Sequence, residues 1–211
     1  MTDPGALTLY IAGLGRCGTS MVLQMLAAGG APVVGAAPDY ERFDLAEMAD
    51  PALLEAEVRG RAVKLLDPHR AAPNHPLLRL RPRHAIWLTR DSREQAKSQL
   101  NFVRTLGGDA LYRPFVPDNR AARTAWQSQI IRDQARALGA LKAANIPVTA
   151  VHFETILAEP LAMATRMASQ LRPWWRLDPV AMAAVVVRRA PDWSGSLDLE
   201  SAAAFAREAG L

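Results

Sequence analysis

The sequence contains very little cysteine and no long uncharged apolar run. Cys17 is the one cysteine among 211 residues, so no disulfide can close within the chain and no Cys-x-x-Cys pair is present to hold a structural zinc. No uncharged stretch approaches the roughly 18 apolar residues of a membrane span, and no basic segment precedes the first apolar stretch, as a signal peptide would require. These absences predict a cytoplasmic protein without a membrane span.

The composition is that of a globular protein with a small excess of positive charge. Hydrophobic residues make up 50% of the chain and charged residues 22%, which excludes a disordered chain or a collagen-like repeat. A length of 211 residues predicts one domain over 1–211. The net charge is +4, and most basic residues are arginine, which suits phosphate or sulfate as a ligand. Arg79, Arg81 and Arg83 are interpreted as a solvated approach to a strand, so no nucleic-acid partner is predicted.

Short apolar runs alternate with amphipathic segments along the chain. The predicted strands are 7–12, 62–66, 85–89 and 147–153. The predicted helices are 19–28, 51–58, 119–144, 160–171 and one that starts at Asp91 or Ser92 and ends near 104. Leu138 and Leu161 are expected on buried helix faces. This order predicts an α/β fold with a parallel central sheet, helices on both of its faces, and ligands at the carboxyl ends of the strands.

A glycine-rich loop joins the first strand to the first helix. Residues 13–20 read Gly-Leu-Gly-Arg-Cys-Gly-Thr-Ser, which has the G-x-x-x-x-G spacing of a nucleotide-phosphate loop but carries Thr19 where such loops have lysine. Backbone amides and the positive end of the helix dipole can hold an anion there, with Arg16 as the one cation within the loop. The missing lysine argues against triphosphate transfer. A purely structural glycine turn remains open.

The loop resembles the phosphosulfate-binding loop of P-loop sulfotransferases, often written G-x-x-R-S-G-T-S. Segment 86–98 is similar to the family's 3′-phosphate element, in which a hydrophobic strand ends in Arg-Asp-Pro and a helix bearing serine follows; here Ser92 replaces the proline. Segment 151–160 is similar to the late strand Tyr-Glu-Asp-Leu-Leu-x-x-Pro. Ala28-Gly29-Gly30-x-Pro32-Val33, Tyr40-Glu41 and Ala62-Val63-Lys64 resemble a bacterial subset of the family. The resemblance covers about 7–171.

This resemblance implies a P-loop nucleotide-binding fold and direct in-line transfer of a sulfuryl group without an obligatory metal. The donor would be 3′-phosphoadenosine 5′-phosphosulfate (PAPS), with adenosine 3′,5′-bisphosphate as product. The acceptor would be a hydroxyl or amine of an unidentified small molecule, glycan or lipid. The implied donor-binding residues are Gly15, Arg16, Cys17, Gly18, Thr19, Ser20, Arg90 and Ser98. Arg188 and Arg189 are further candidates for the 3′-phosphate site, and Arg90 has the alternative of an ion pair with Asp91 or Glu94.

Four residues are candidates for the catalytic chemistry besides donor binding. Arg16 would stabilise charge on the departing oxygen, and Lys64 would assist the leaving phosphate. Glu41 is the first candidate for the general base, because it falls in the loop expected to meet the acceptor. His69 is the second, because the resemblance puts it close to where many family members carry a catalytic histidine, although the local spacing differs from theirs. Asp67 is expected to orient a base or to cap the next segment. A solvated or structural role stays open for each of Glu41, Lys64, Asp67 and His69.

Two other functions remain compatible with the loop. A kinase or hydrolase using Mg-ATP or Mg-GTP would need Asp67 or Asp91 as its metal-holding acid. A non-catalytic nucleotide-binding module would keep the loop without a base.

Cys17 lies near a helix N-terminus, where the pKa of a thiol can fall, but the family commonly has serine there, so it is interpreted as a packing residue.

Overall fold

Four strands form one parallel sheet in the order β2-β1-β3-β4. The computed structural model describes residues 7–71, 76–80, 83–106 and 119–187. The strands are β1 (Thr8–Gly13), β2 (Ala62–Leu66), β3 (Arg83–Thr89) and β4 (Val148–His152). Gly13 pairs with Leu66 on one side and Leu88 on the other, and Thr89 pairs with His152. The carboxyl ends of all four strands therefore lie along one edge of the sheet.

The helices alternate with these strands along the chain. They are α1 (Thr19–Ala28), α2 (Pro51–Val58), α3 (Pro68–Ala71), α4 (Ser92–Leu106), α5 (Arg120–Ala143), α6 (Phe153–Ala158), α7 (Pro160–Leu171) and α8 (Pro179–Ala184). Single 3₁₀ turns lie at Phe43–Ala46 and Pro76–Arg79. The predicted α/β class and parallel sheet are confirmed.

The central strand β1 is buried along its whole length, because both faces of the sheet are covered. Leu9 and Ile11 point to one face, where they join a core built largely from α1, α7 and α8. Tyr10 points to the other face, and its hydroxyl donates a hydrogen bond to the carbonyl oxygen of Leu77. The nearly continuous apolar run that predicted this strand is thus the signature of a strand covered on two sides.

The structure corrects several details of the predicted elements. Phe153 begins α6 instead of ending β4, and α3, α6 and α8 were not predicted. Arg83 is a buried residue at the start of β3 instead of part of a solvated approach to that strand. Leu138 is 38% exposed, and the neighbouring Ala137 takes the buried position. Leu161 is 52% exposed because it lies in the first turn of α7, whereas Met163 faces the core. An amphipathic pattern identifies the buried face of a helix only approximately, because it does not show which elements the helix packs against.

Contacts within the chain divide it into two compact units. The first contains Met1–Arg90 and Asp133–Val187, and therefore all four strands. The second contains Asp91–Arg132 and Arg188–Leu211; its described part is α4 and the first part of α5. The Asp91 carboxylate caps α4 by accepting from the amides of Arg93 and Glu94, both at 3.0 Å. The single domain over 1–211 stays a prediction.

No helix within the described ranges is long and apolar enough to cross a membrane.

Candidate functional site

The glycine-rich loop leaves β1 at Gly13 and enters α1 at Thr19. Two of its residues have left-handed backbone conformations, Arg16 with φ 66° and Gly18 with φ 102°. Gly13 is required for another reason: a Cβ at this position would overlap the sulfur of Cys17. The helix begins without a side-chain cap and without an acid in its first turn, so the positive end of its dipole faces the loop unneutralised by either.

Arg90 lies directly beside this loop. It follows β3, and its Nη1 donates to the carbonyl oxygen of Arg16 at 3.3 Å. Its guanidinium carbon lies 4.9 Å from the centre of the Phe153 ring, and the same ring packs against Gly18, where a Cβ would collide with it. Stacking on an aromatic face holds a guanidinium in place while leaving its edges able to donate. The Nε of Arg90 is buried and has no hydrogen-bond partner among the described residues.

Lys64 brings a second cation to the loop from the neighbouring strand. Its Nζ donates to Ser20 Oγ at 2.9 Å and to Glu41 Oε1 at 3.1 Å. The side chain of Lys64 is only 5% exposed, so the ammonium depends on these two partners for part of its lost hydration. The structure therefore brings together three residues that the sequence separates widely, Ser20, Glu41 and Lys64.

Asp67 holds the loop from the end of β2. Its backbone amide donates to the Gly13 carbonyl at 3.1 Å, and its carboxylate accepts from the amide of Gly15. Burial raises the pKa of the Asp67 carboxyl above its ordinary value, opposed by the positive charge of Arg70 and by His69. Asp67 itself has a left-handed backbone, with φ 46°. The side chain expected to orient a base or to cap α3 is thus in contact with the loop.

His69 is placed differently from Glu41. It lies on α3, where its Nε2 is 3.5 Å from a carboxylate oxygen of Asp133 on α5. Its Nδ1 is buried and accepts or donates no hydrogen bond within the part of the chain that the structure describes. Of the two candidate bases, Glu41 is the one whose partner, Lys64, also contacts a loop residue.

Cys17 is a packing residue by its surroundings. The side chain belongs to the apolar core, and burial raises the pKa of its thiol to about 12, although the amide of Thr19 opposes the rise. The interpretation of Cys17 as a packing residue agrees with this burial, because desolvation outweighs any lowering of the thiol pKa by the helix N-terminus.

The roles of two further groups of predicted donor-binding residues stay predictions. Ser98 is half-buried on α4, in the second unit, and its role with Arg90 stays a prediction. Arg188 and Arg189 lie outside the described residues.

Sequence reasoning missed two features at the same edge of the sheet. Phe153 supports both Gly18 and Arg90, but an aromatic residue after a strand carries no signal of such a contact. Thr89 and His152 end β3 and β4 and share a hydrogen bond of 2.7 Å between Oγ1 and Nδ1. Their position at strand ends is a signal that could have identified this pair, since parallel strands bring their final residues together.

Comparison with protein-family models and with curated proteins finds no match to this chain. No three His, Cys, Asp or Glu side chains are grouped as a metal site in the described ranges.

Proposed function

We propose that this protein is a sulfotransferase that moves the sulfuryl group of PAPS to a hydroxyl or amine. The observation that carries the proposal is the contact between the Lys64 ammonium and the Ser20 hydroxyl. Ser20 occupies the loop position whose hydroxyl binds Mg²⁺ in loops that use nucleoside triphosphates. An ammonium at 2.9 Å from this oxygen repels a divalent cation and supplies positive charge in its place.

The other charged groups are consistent with a metal-free anion site. Arg16 lies within the loop and Arg90 beside it, in contact with the Arg16 carbonyl. Guanidinium groups can bind phosphate or sulfate oxygens through two parallel donors. Together with the amides at the start of α1, these cations would bind the phosphosulfate without a metal ion.

The proposed reaction is a single in-line displacement. The acceptor oxygen or nitrogen attacks sulfur while the bond from sulfur to the bridging oxygen breaks, which leaves adenosine 3′,5′-bisphosphate. Arg16 and Lys64 would stabilise the negative charge that develops on the departing oxygen. Glu41 would take the proton of the acceptor, because its carboxylate lies 3.1 Å from Lys64 and hence close to the loop.

The test is calorimetric titration with adenosine 3′,5′-bisphosphate in EDTA, and with ATP in Mg²⁺ as the parallel measurement. We expect metal-independent binding of the bisphosphate that weakens at least about tenfold in Lys64→Met, a loss of about 1.4 kcal/mol. Lys142→Met is the matched control, since this lysine is exposed near the end of α5. Preference for Mg-ATP would overturn the proposal in favour of a kinase or hydrolase.

A second variant tests the arginine beside the loop. Arg90→Ala should weaken binding of the bisphosphate more than it slows transfer from bound donor. Arg166→Ala removes the same charge from an exposed position on α7 and should change neither. Bisphosphate binding without turnover of PAPS in a screen of hydroxyl and amine acceptors would point to a non-catalytic nucleotide-binding module.

A further inference from the structure

A negatively charged side chain lies in contact with the glycine-rich loop. The Asp67 carboxylate accepts from the Gly15 amide, one of the loop groups that would otherwise donate to a ligand. The Asp67 amide donates to the Gly13 carbonyl, so the residue is tied to the loop at two points. An acid is unexpected in this position, because it opposes the attraction of Lys64, Arg16 and Arg90 for an anion.

We propose that Asp67 is a specificity-determining residue that weakens the preference of the loop for a terminal group with two negative charges over a terminal group with one. A sulfuryl ester carries one charge, whereas the terminal phosphate of a nucleoside diphosphate or triphosphate carries close to two at neutral pH and above. The inference rests on the proposed function, because it assumes that the loop binds the 5′ end of the donor.

The physical reason is that Coulomb energy is proportional to the charge of the ligand. Three cations alone would attract a doubly charged phosphate more strongly than a singly charged sulfuryl group of the same shape. A fixed carboxylate reverses part of this preference, since it repels the doubly charged group twice as strongly. Asp67 thus lowers affinity for both ligands but lowers it more for the phosphate.

The surroundings of Asp67 preserve this effect. Its side chain is only 28% exposed, so water and salt screen the carboxylate less than they would at the surface. Arg70 lies 3.8 Å from the carboxylate but is itself 70% exposed, which makes it a weak counter-charge. Burial raises the pKa of the Asp67 carboxyl, and the Gly15 amide opposes that rise by stabilising the ionised form. His69 and Asp133 act on it with opposite signs.

The experiment compares two ligands of nearly the same shape, adenosine 5′-phosphosulfate and ADP, by calorimetry in EDTA at about pH 8, where the terminal phosphate is almost fully ionised. In Asp67→Asn, which keeps an oxygen for the Gly15 amide, we expect both ligands to bind more tightly and ADP to gain more, so that the ratio of ADP affinity to phosphosulfate affinity rises on the order of tenfold. Glu55→Gln removes the same charge from the exposed surface of α2 and should leave the preference unchanged.

An unchanged ratio of the two affinities in Asp67→Asn, or a ratio that rises equally in Glu55→Gln, overturns the inference. Asp67→Ser serves as the second variant if the asparagine variant does not fold, with the same expected result. The bisphosphate titration separates the two proposals. If adenosine 3′,5′-bisphosphate binds and the preference does not depend on Asp67, only the charge-selection inference fails. If none of the three nucleotides binds, the proposed function fails with it.

Discussion

At the scale of single residues, the position of the cations decides how this loop differs from a triphosphate-binding loop. The loop carries Thr19 in place of lysine, yet an ammonium still reaches it, because Lys64 extends from β2 to the hydroxyl of Ser20. An ammonium therefore reaches the loop from the neighbouring strand, at 2.9 Å from the Ser20 hydroxyl. A carboxylate, Glu41, holds the other side of the same ammonium.

Cys17 should be chemically inert in the folded protein. The pKa of its thiol is about 12 instead of the ordinary 9.0, which reduces the thiolate fraction about a thousandfold, and only the thiolate reacts with alkylating reagents. We expect iodoacetamide to label the native protein at about pH 8 far more slowly than the protein unfolded in urea. Because the chain has one cysteine, the labelled mass reports on this residue alone. Comparable rates in the two states would contradict the burial of Cys17.

Asp67 should make stability fall as pH rises. Its pKa in the folded protein is raised above the ordinary 3.8, so the folded state holds the proton more tightly than the unfolded state. The stability that this proton contributes is complete below about pH 3.8 and is lost as pH rises through the folded pKa. Urea unfolding from about pH 4 upward should show the wild type losing free energy of unfolding relative to Asp67→Asn.

Asp44 serves as a comparison, because its contribution to the free energy of unfolding should change with pH in the opposite direction. Its contact with Arg42 lowers the pKa of its carboxyl, so its contribution is present above the ordinary pKa and lost as pH falls. The difference between wild type and Asp44→Asn should therefore change with pH in the other direction. Parallel pH curves for wild type and Asp67→Asn would show that the burial of Asp67 does not raise its pKa.

At the scale of elements, glycines occupy positions that differ in backbone conformation and in crowding. Gly18 combines a left-handed backbone with close packing against Phe153, whereas Gly30 has φ 96° with open space around it. Gly139 lies within the helix α5, also with open space where a Cβ would be. Substitutions at these three positions can therefore distinguish the cost of backbone strain from the cost of steric overlap.

Alanine at these three glycines should therefore give three different results. Gly139→Ala should raise the free energy of unfolding by about 0.5 to 1 kcal/mol through helix propensity. Gly30→Ala should lower it by roughly 1 to 2 kcal/mol through backbone strain alone. Gly18→Ala should lower it by roughly 2 to 5 kcal/mol, because strain and overlap with the Phe153 ring add together. Chemical denaturation measures all three, and equal losses at Gly18 and Gly30 would contradict the contact with Phe153.

At the scale of the whole molecule, parallel topology explains why distant residues meet. In the sheet order β2-β1-β3-β4, β1 lies between β2, which carries Lys64, and β3, which Arg90 follows. Both residues therefore reach the loop at the end of β1 from opposite sides. Phe153, the residue that follows β4, provides the aromatic ring on which the Arg90 guanidinium stacks.

Ligand binding at this edge should stabilise the folded chain without a metal ion. Adenosine 3′,5′-bisphosphate at about a hundred times its dissociation constant should raise the free energy of unfolding by about 2.7 kcal/mol. The measurement is thermal or chemical unfolding with and without the bisphosphate, in EDTA and again in Mg²⁺. Stabilisation that appears only with Mg²⁺ would contradict the role of Lys64 at Ser20. Lys64→Met should reduce the stabilisation, and Lys142→Met should not.

The sequence by itself determined the class of fold and the location of the loop. Short apolar runs that alternate with helical patterns predict a parallel sheet covered by helices, because that arrangement buries the apolar strands. The observed limits of β2, α2 and α7 agree with the predicted ones. The glycine spacing of 13–20 identified the loop because backbone conformation is a local property. It did not identify Arg16 as a left-handed residue, since that conformation is uncommon outside glycine.

Only the tertiary structure decided which side chains share the site. Lys64 and Asp67 reach the loop because β2 is the hydrogen-bonded neighbour of β1, and a pattern of apolar residues does not specify strand order. The same limit applies to Phe153, whose contact with Gly18 and Arg90 depends on β4 lying next to β3. Local sequence fixes the conformation of each segment, whereas the pairing of strands is a long-range choice that only the complete packing of the core resolves.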